Sequence, residues 1–180
     1  MSTSNEFDFK ALSPKEILPK LPFDDKKCPL ILSDAGNLKA LYRYSNSGSF
    51  FDLFDPRSSN LLPALKHSII HGTFCIFDFG DIDKLDLLPS MLDRLKEKCS
   101  FIHKDLYNHI INNTLMKQSF ESMMSLIPFD PDKELVKEIY ETNKETFRII
   151  FFVEIKDLSS IKNQTNDKNL SLFKCMFIKP

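Results

Sequence analysis

His71-Gly72-Thr73-Phe74-Cys75-Ile76-Phe77-Asp78-Phe79-Gly80-Asp81 decides how the rest of the chain is read. A mostly apolar run follows one glycine, meets Asp78, and gives way to a second glycine and a second aspartate. A continuous apolar run bracketed by turn residues is the pattern of a strand buried on both faces. Helical patterns precede and follow it, which predicts a place in the middle of a parallel sheet with crossover helices. Asp78 and Asp81 then fall at the carboxyl end of the strand, where open α/β sheets meet their ligands.

The totals bound the answer. A chain of 180 residues suits one domain with a substantial core, and 42% hydrophobic with 27% charged residues is an ordinary globular composition. Only 4 glycines argue against a glycine-rich phosphate-binding architecture, and 17 phenylalanines with no tryptophan predict a core filled by rings. Lys+Arg 24 against Asp+Glu 25 lacks the one-sided positive field that nucleic acid requires as a partner. Cys28, Cys75, Cys99 and Cys175 form no CxxC pair, which predicts reduced, mostly buried thiols in an intracellular protein. The first ten residues have no basic-then-apolar leader, and no segment approaches the ~18 apolar residues of a membrane span. A cytoplasmic protein without a membrane partner is expected.

Residues 1–27 read as a partly ordered N-terminal tail broken by Pro14, Pro19 and Pro22, and residues 28–180 as a single α/β domain. Pro29 to Ser33 is the first strand, Leu38 to Tyr44 a helix and Phe50 to Phe54 the second strand. In the helix that follows, Leu61, Leu62, Leu65, Ile69 and Ile70 share a face by their spacing. After the central strand, Asp83 or Asp86 opens a helix carrying Leu88, Met91, Leu92 and Leu95. One long helix is expected from Phe101 to Gln118 and on to Met124. Asp130-Pro131-Asp132 caps another that contains Leu135, Val136, Ile139 and Tyr140. Phe147 to Ile155 is the strongest strand signal, and Leu170 to Ile178 is the last strand.

The order of these motifs resembles an AAA+ large subdomain. Pro29-Leu30-Ile31-Leu32-Ser33-Asp34 running into Ala35-Gly36-Asn37-Leu38-Lys39 is similar to the strand and degenerate phosphate loop of the fifth AAA+ module of dynein heavy chains. Leu61 to Gly72, Phe74 to Asp78 and Gly80-Asp81-Ile82-Asp83 resemble that family's next helix, its Walker-B-like strand and an acidic turn. Phe147 to Glu154 and Leu170 to Ile178 resemble the fourth and fifth strands. The C-terminal region of IQ-motif and ankyrin-repeat proteins carries a similar segment. Residues 97–144 have no counterpart. The resemblance implies a P-loop NTPase-like, mostly parallel five-stranded sheet with helices on both faces; the helical lid that usually follows in that family is not expected here. It also implies a nucleotide cleft at Asp34, Gly36, Asn37, Lys39 and Asp78, and a setting at the cytoskeleton or cilium.

The cleft's chemistry is incomplete. A phosphate loop needs backbone N–H groups around the phosphates, a lysine on the β/γ oxygens and a hydroxyl on Mg²⁺. Gly36 is alone in its turn, and Ala40 follows Lys39 where the hydroxyl should be. Asp78 could join a metal shell, but Phe79 stands where a water-positioning glutamate belongs. Phe152-Val153 offers no polar sensor, and Thr165 to Asn169 contains no arginine finger. The expected role is therefore non-catalytic: a structural or protein-interaction module without a cofactor, whose partner is another protein chain. A nucleotide-binding switch, or an NTPase completed by a partner, is the alternative. The plainest role for Asp78, Asp81 and Asp83 is to cap the next helix.

Other constellations have ordinary readings. His67 and His71 stand one helical turn apart near Cys75, a spacing known among zinc ligands, but no fourth ligand is offered and helix C-termini favour histidine through the dipole alone. His103 and His109, six apart, fall on different helix faces and read as exposed. Met116, Met123 and Met124 beside Phe120 form either an adaptable docking surface or core packing, with core packing favoured. Lys133, Lys137, Lys144 and Lys156 are interspersed with acids, as on a solvated face.

Overall fold

The apolar runs at Pro29–Ser33, Phe74–Ile82 and Arg148–Ile155 become strands with almost no exposed residue, as expected of strands covered on both faces. The computed structural model describes residues 5–8, 26–33, 40, 50–54, 61–82, 85–129, 133–156 and 170–179. Within them one all-parallel sheet is built from β1 (Asn5–Asp8), β2 (Pro29–Ser33), β3 (Phe50–Asp52), β4 (Phe74–Ile82), β5 (Arg148–Ile155) and β6 (Lys174–Lys179). Its spatial order is β1-β6-β2-β5-β4-β3.

Two expectations are corrected here. The five expected strands are all present, but a sixth joins them: Asn5–Asp8, inside the expected tail, pairs with β6 from Asn5↔Met176 to Asp8↔Lys179. The Phe74 strand is not central. The chain passes from β2 to the far edge and returns strand by strand, so β4 lies second from that edge and β2 and β5 occupy the middle.

The α-helices whose bounds fall among the described residues are α1 (Leu61–His71), α2 (Leu88–Ser100), α3 (Leu106–Ile111), α4 (Phe120–Leu126) and α5 (Lys133–Asn143). Short 3₁₀ turns cover Leu85–Leu87, Leu115–Lys117 and Leu170–Leu172. All five helices join one core with the same face of the sheet, which presents Leu30, Phe51, Phe77, Phe79, Phe151 and Val153. The β3-to-β4 and β4-to-β5 connections move across the sheet in the same direction, and right-handed crossovers moving one way lie on one face. Helices on both faces are thus not seen among the described residues. The opposite face is nonetheless sealed, with Ile31, Ile76, Ile150, Phe152 and Met176 all at 0% exposure.

Rings fill the helix-side core, as the phenylalanine count predicts. Phe51 meets Phe77 at 5.8 Å between centroids, Phe77 meets Phe151 at 5.2 Å, and Phe173 closes on Phe151 edge-on at 4.9 Å. Register brings Phe51, Phe77, Phe151 and Leu30 into one row across four strands, and paired residues of parallel strands project to the same side.

α1 ends as its sequence predicts. Gly72, at φ 58°, lets Thr73 N–H reach Ser68 O at 3.0 Å and Gly72 N–H reach Ile69 O at 3.3 Å, the Schellman arrangement. The long helix expected from Phe101 to Met124 is instead three pieces. Asn113 takes φ 52°, a left-handed conformation that asparagine tolerates and a helix interior does not. Ser119 then starts α4 afresh, its Oγ accepting from Ser122 N–H at 3.2 Å. Met123 is fully buried and Met116 and Met124 pack against the core, so this cluster is interior rather than a docking surface.

Among the described residues no helix is long and apolar enough to cross a membrane. The helix expected over Leu38 to Tyr44 lies, apart from the helical Ala40, outside the described residues.

Candidate functional site

The carboxyl end of β4 is shaped by a local irregularity. Asp78 pairs with Phe152, but the register then shifts before Asp81 pairs with Glu154. Gly80 lies in that shift at φ 76°, where a side chain would be strained and a Cβ would come within 3.0 Å of the Phe54 ring. The bulge carries the strand on through Ile82 instead of stopping at Asp78, so the predicted acidic turn is largely strand.

Asp78 is fully buried, and its Oδ1 accepts a hydrogen bond from Gly80 N–H at 2.8 Å. Its own carbonyl accepts from Leu53 N–H at 3.0 Å. Asp52, the Asp78 counterpart on β3, repeats the device: its Oδ1 accepts from Phe54 N–H at 2.9 Å. Each carboxylate holds the backbone two residues on, the Asx-turn arrangement. The helix-capping role expected of Asp78 and Asp81 is not what they do. α2 begins at Leu88 with Leu87 at its cap and no side-chain cap bond, Asp81 stays in the strand, and Asp83 lies outside the described residues.

One row of the sheet runs Asp52, Asp78, Phe152, Ile31, Met176. All of these project to the face opposite the helices, and the next row on that side holds Ser33, Glu154 and Asp81. β2 and the strand bearing Asp78 thus run to the same end of the sheet with β5 between them. Asp34, Gly36, Asn37 and Lys39 lie outside the described residues. Of the predicted cleft, the structure therefore places Asp78.

This end of the sheet is also where the winding diverges. The chain leaves β2 toward the β3 edge and leaves β5 the other way, to β6 beyond β2. Such a switch point is where an α/β sheet opens a crevice for ligands. What occupies it here is mixed. Phe152, at the expected sensor position, is a fully buried ring between Ile31 and Asp78. Phe79 is fully buried on the helix side, 5.2 Å from the Phe151 ring. Sequence reading missed Asp52, Ser33 and Glu154 as neighbours of this site. Aligning the apolar runs of parallel strands by their carboxyl ends would have found them.

The histidine and cysteine constellations resolve into structural roles. His67 and His71 lie ring against ring at 4.4 Å between centroids, on an exposed helix face. His67 is held below its usual pKa, first by desolvation and then by the charge of His71. Cys75 is fully buried in β4 and its thiol is pushed up to about 12 by burial, with a smaller opposing effect from Ser68. Among the described residues no group of three His, Cys, Asp or Glu side chains is placed to hold a metal ion. His103 and His109 are half-buried: His103 Nδ1 accepts from Asp105 N–H at 3.2 Å, and His109 Nδ1 lies 3.0 Å from Thr114 Oγ1. All four cysteines are free thiols.

Comparison with protein-family models, with curated proteins and with solved structures finds no match to this chain.

Proposed function

We propose that this chain is a non-catalytic, AAA+-like module that serves as a structural or protein-interaction domain. The observation that carries this reading is the placement of Phe79. It follows Asp78, where a hydrolytic site would carry the acid that positions water, and its ring is locked in the helix-side core at 0% exposure. The position that would polarise water therefore holds a buried hydrocarbon ring.

Three further observations support it. Counted from Pro29–Ser33, the strands lie in the order fifth, first, fourth, third, second, with one strand between the phosphate-loop-like strand and the acid-bearing strand, an order suited to a P-loop NTPase-like domain. Phe152 puts an apolar ring where a γ-phosphate sensor would stand. Asp78 gives one carboxylate oxygen to the turn at Gly80. A scaffold of nucleotide-binding type that has turned its acid to structural use is the simplest account. On the dynein likeness alone, its setting would be the cytoskeleton or cilium.

A thermal-shift series with millimolar Mg·ATP, Mg·GTP and ADP tests this. A ligand at 100 times its Kd would add about 2.7 kcal/mol, raising the melting temperature by several degrees in a domain of this size. A flat series is expected. A shift with any of the three that is lost in Lys39→Ala and in Asp78→Asn would replace this reading with a nucleotide-binding switch, and turnover of the triphosphate would replace it with an NTPase.

A further inference from the structure

Of the histidine and cysteine groups described above, one pair keeps a chemical capacity beyond its place in the fold. His67-Ser68-Ile69-Ile70-His71 repeats the histidine spacing of metal-binding helices, two imidazoles one turn apart on one face. Both side chains are exposed, and their rings lie 4.4 Å apart between centroids, tilted by 49°. Side chains at this separation leave the helix from Cβ atoms about 5–6 Å apart, so the two rings converge rather than splay.

The ring spacing selects among ions. A metal bound about 2.0–2.1 Å from an imidazole nitrogen lies about 3.2 Å from the centre of that ring. Two rings at right angles about the metal then have centres about 4.5 Å apart, and two at a tetrahedral angle about 5.2 Å. The observed 4.4 Å matches the right angle, which is the angle between neighbouring ligands of a square-planar or tetragonal ion such as Cu(II) or Ni(II).

The surroundings suit a cation that is bound but not put to hydrolytic use. His71 is the last residue of α1, and a helix C-terminus carries partial negative charge that favours a cation. Each imidazole has two ring nitrogens, so one can hold a protein contact while the other ligates. Ser68 stands where metalloprotease helices of this spacing place their general base. Its side chain is buried and its hydroxyl donates to Ala64 O at 2.8 Å, so no base faces the ion from that position. Cys75 is fully buried in β4 and is not a ligand. With two protein nitrogens, water fills the other coordination positions, which makes the site open rather than closed.

We propose that His67 and His71 form a two-nitrogen chelate for a divalent transition ion of tetragonal preference, Cu(II) or Ni(II), with its remaining positions open to solvent. This goes beyond the functional reading above. It stands on the end of α1 that leads into the amino end of β4, away from the carboxyl end of the sheet, and so holds or fails independently of nucleotide binding.

Calorimetric titration of the full, untagged chain with NiCl₂ and with ZnCl₂ tests it. One Ni(II) per chain is expected, bound more tightly than Zn(II), with a melting temperature that rises as NiCl₂ is added. His67→Gln and His71→Gln should each weaken Ni(II) binding at least about tenfold, because the second nitrogen is no longer held at a high effective concentration. Both positions are exposed, so these variants keep the fold. Lys66→His/His67→Gln preserves the number of histidines but sets the pair five residues apart, off a common face, and should bind no better than His67→Gln. His103→Gln/His109→Gln should bind as the native chain does. Ni(II) affinity no tighter than millimolar overturns the proposal. So does Zn(II) bound more tightly than Ni(II), or a loss that follows the number of histidines and not their spacing.

Discussion

The Asn143 side chain, at the last residue of α5, donates from Nδ2 to the carbonyl of Ile70 at 2.6 Å and to that of Ile69 at 3.4 Å. These carbonyls belong to the last turn of α1, where an α-helix leaves acceptors without intrahelical donors. The two helix ends also approach closely. A Cβ added to Gly72 would lie 2.5 Å from Thr146 Oγ1 and 3.0 Å from Asn143 Cγ. Asn143→Ala is expected to cost about 1–2 kcal/mol, because it takes the side-chain donor from the partly buried Ile70 carbonyl while Ile69 O keeps Gly72 N–H. Gly72→Ala should cost more, since it adds the strain of a positive φ to the collision. Combining Gly72→Ala with Thr146→Ala should recover only part of the loss, for the backbone strain remains. Urea unfolding with unchanged m-values measures all three.

Tyr140 anchors the segment between α3 and α5. It is fully buried, and its hydroxyl donates to Gln118 O at 2.8 Å, holding the loop that leads into α4. Burial first, and the charge of Glu141 second, push its pKa up to about 12. Tyr140→Phe keeps the ring contact with Phe120, 5.9 Å between centroids, and removes only the donor. A loss of about 1 kcal/mol is expected. Hydrogen exchange should show faster amides in Phe120–Leu126 while β2 and β5 keep their protection.

The sheet was legible because fully buried strands advertise themselves. Pro29 to Ser33 and Phe147 to Ile155 are runs that no amphipathic helix would show, and both became strands within a residue of their expected bounds. α1 was legible through the spacing of Leu61, Leu65 and Ile69, which are buried together in the structure. The unforeseen sixth strand, Asn5–Asp8, is four residues of mixed polarity at a sheet edge, too short for its alternation to be read. The single helix expected past Phe101 failed because hydrophobic spacing continues across the breaks. The signals that mattered were Asn112-Asn113 and the Ser119 cap, local backbone chemistry rather than periodicity. At the candidate site, Asp78 was found by its place after an apolar run. That its carboxylate serves Gly80, and that Asp52 stands beside it, depended on a bulge and a register that one strand cannot reveal by itself.

Asp52 and Asp78 make the same turn bond in neighbouring strands but differ in burial, which separates their expected costs. Gly80 N–H has no route to water once the Asp78 carboxylate is removed, so Asp78→Ala is expected to cost about 2–3 kcal/mol. Phe54 N–H, bonded to the half-exposed Asp52, can find water instead, and Asp52→Ala should cost about 1 kcal/mol or less. Asp78→Asn keeps an acceptor for Gly80 and should fall well short of the alanine loss. Chemical denaturation of the three variants decides this. Equal losses at Asp52 and Asp78 would refute the burial argument.

The buried thiols predict how the fold responds to alkali. Desolvation pushes Cys28, Cys75 and Cys99 up to about 12, from the 9.0 of an exposed thiol. Well below pH 9 the thiols are protonated whether the chain is folded or not, and stability does not depend on them. Between pH 9 and about 12 the unfolded chain releases protons that the folded chain keeps, so rising pH favours unfolding. Each thiol contributes at most about 1.4 kcal/mol per pH unit in that window, and Tyr140 adds to the same trend. Unfolding free energy measured from about pH 7 to about pH 11 should be level with respect to these groups at first and fall steeply beyond about pH 9. Cys99→Ala, which deletes one of the ionisations, should make the fall shallower. The same burial should leave Cys28, Cys75 and Cys99 unreactive toward a thiol reagent at about pH 8 in the native chain and fully reactive in denaturant. Rapid labelling of any of the three without denaturant would mean that the core opens locally on the timescale of the reaction.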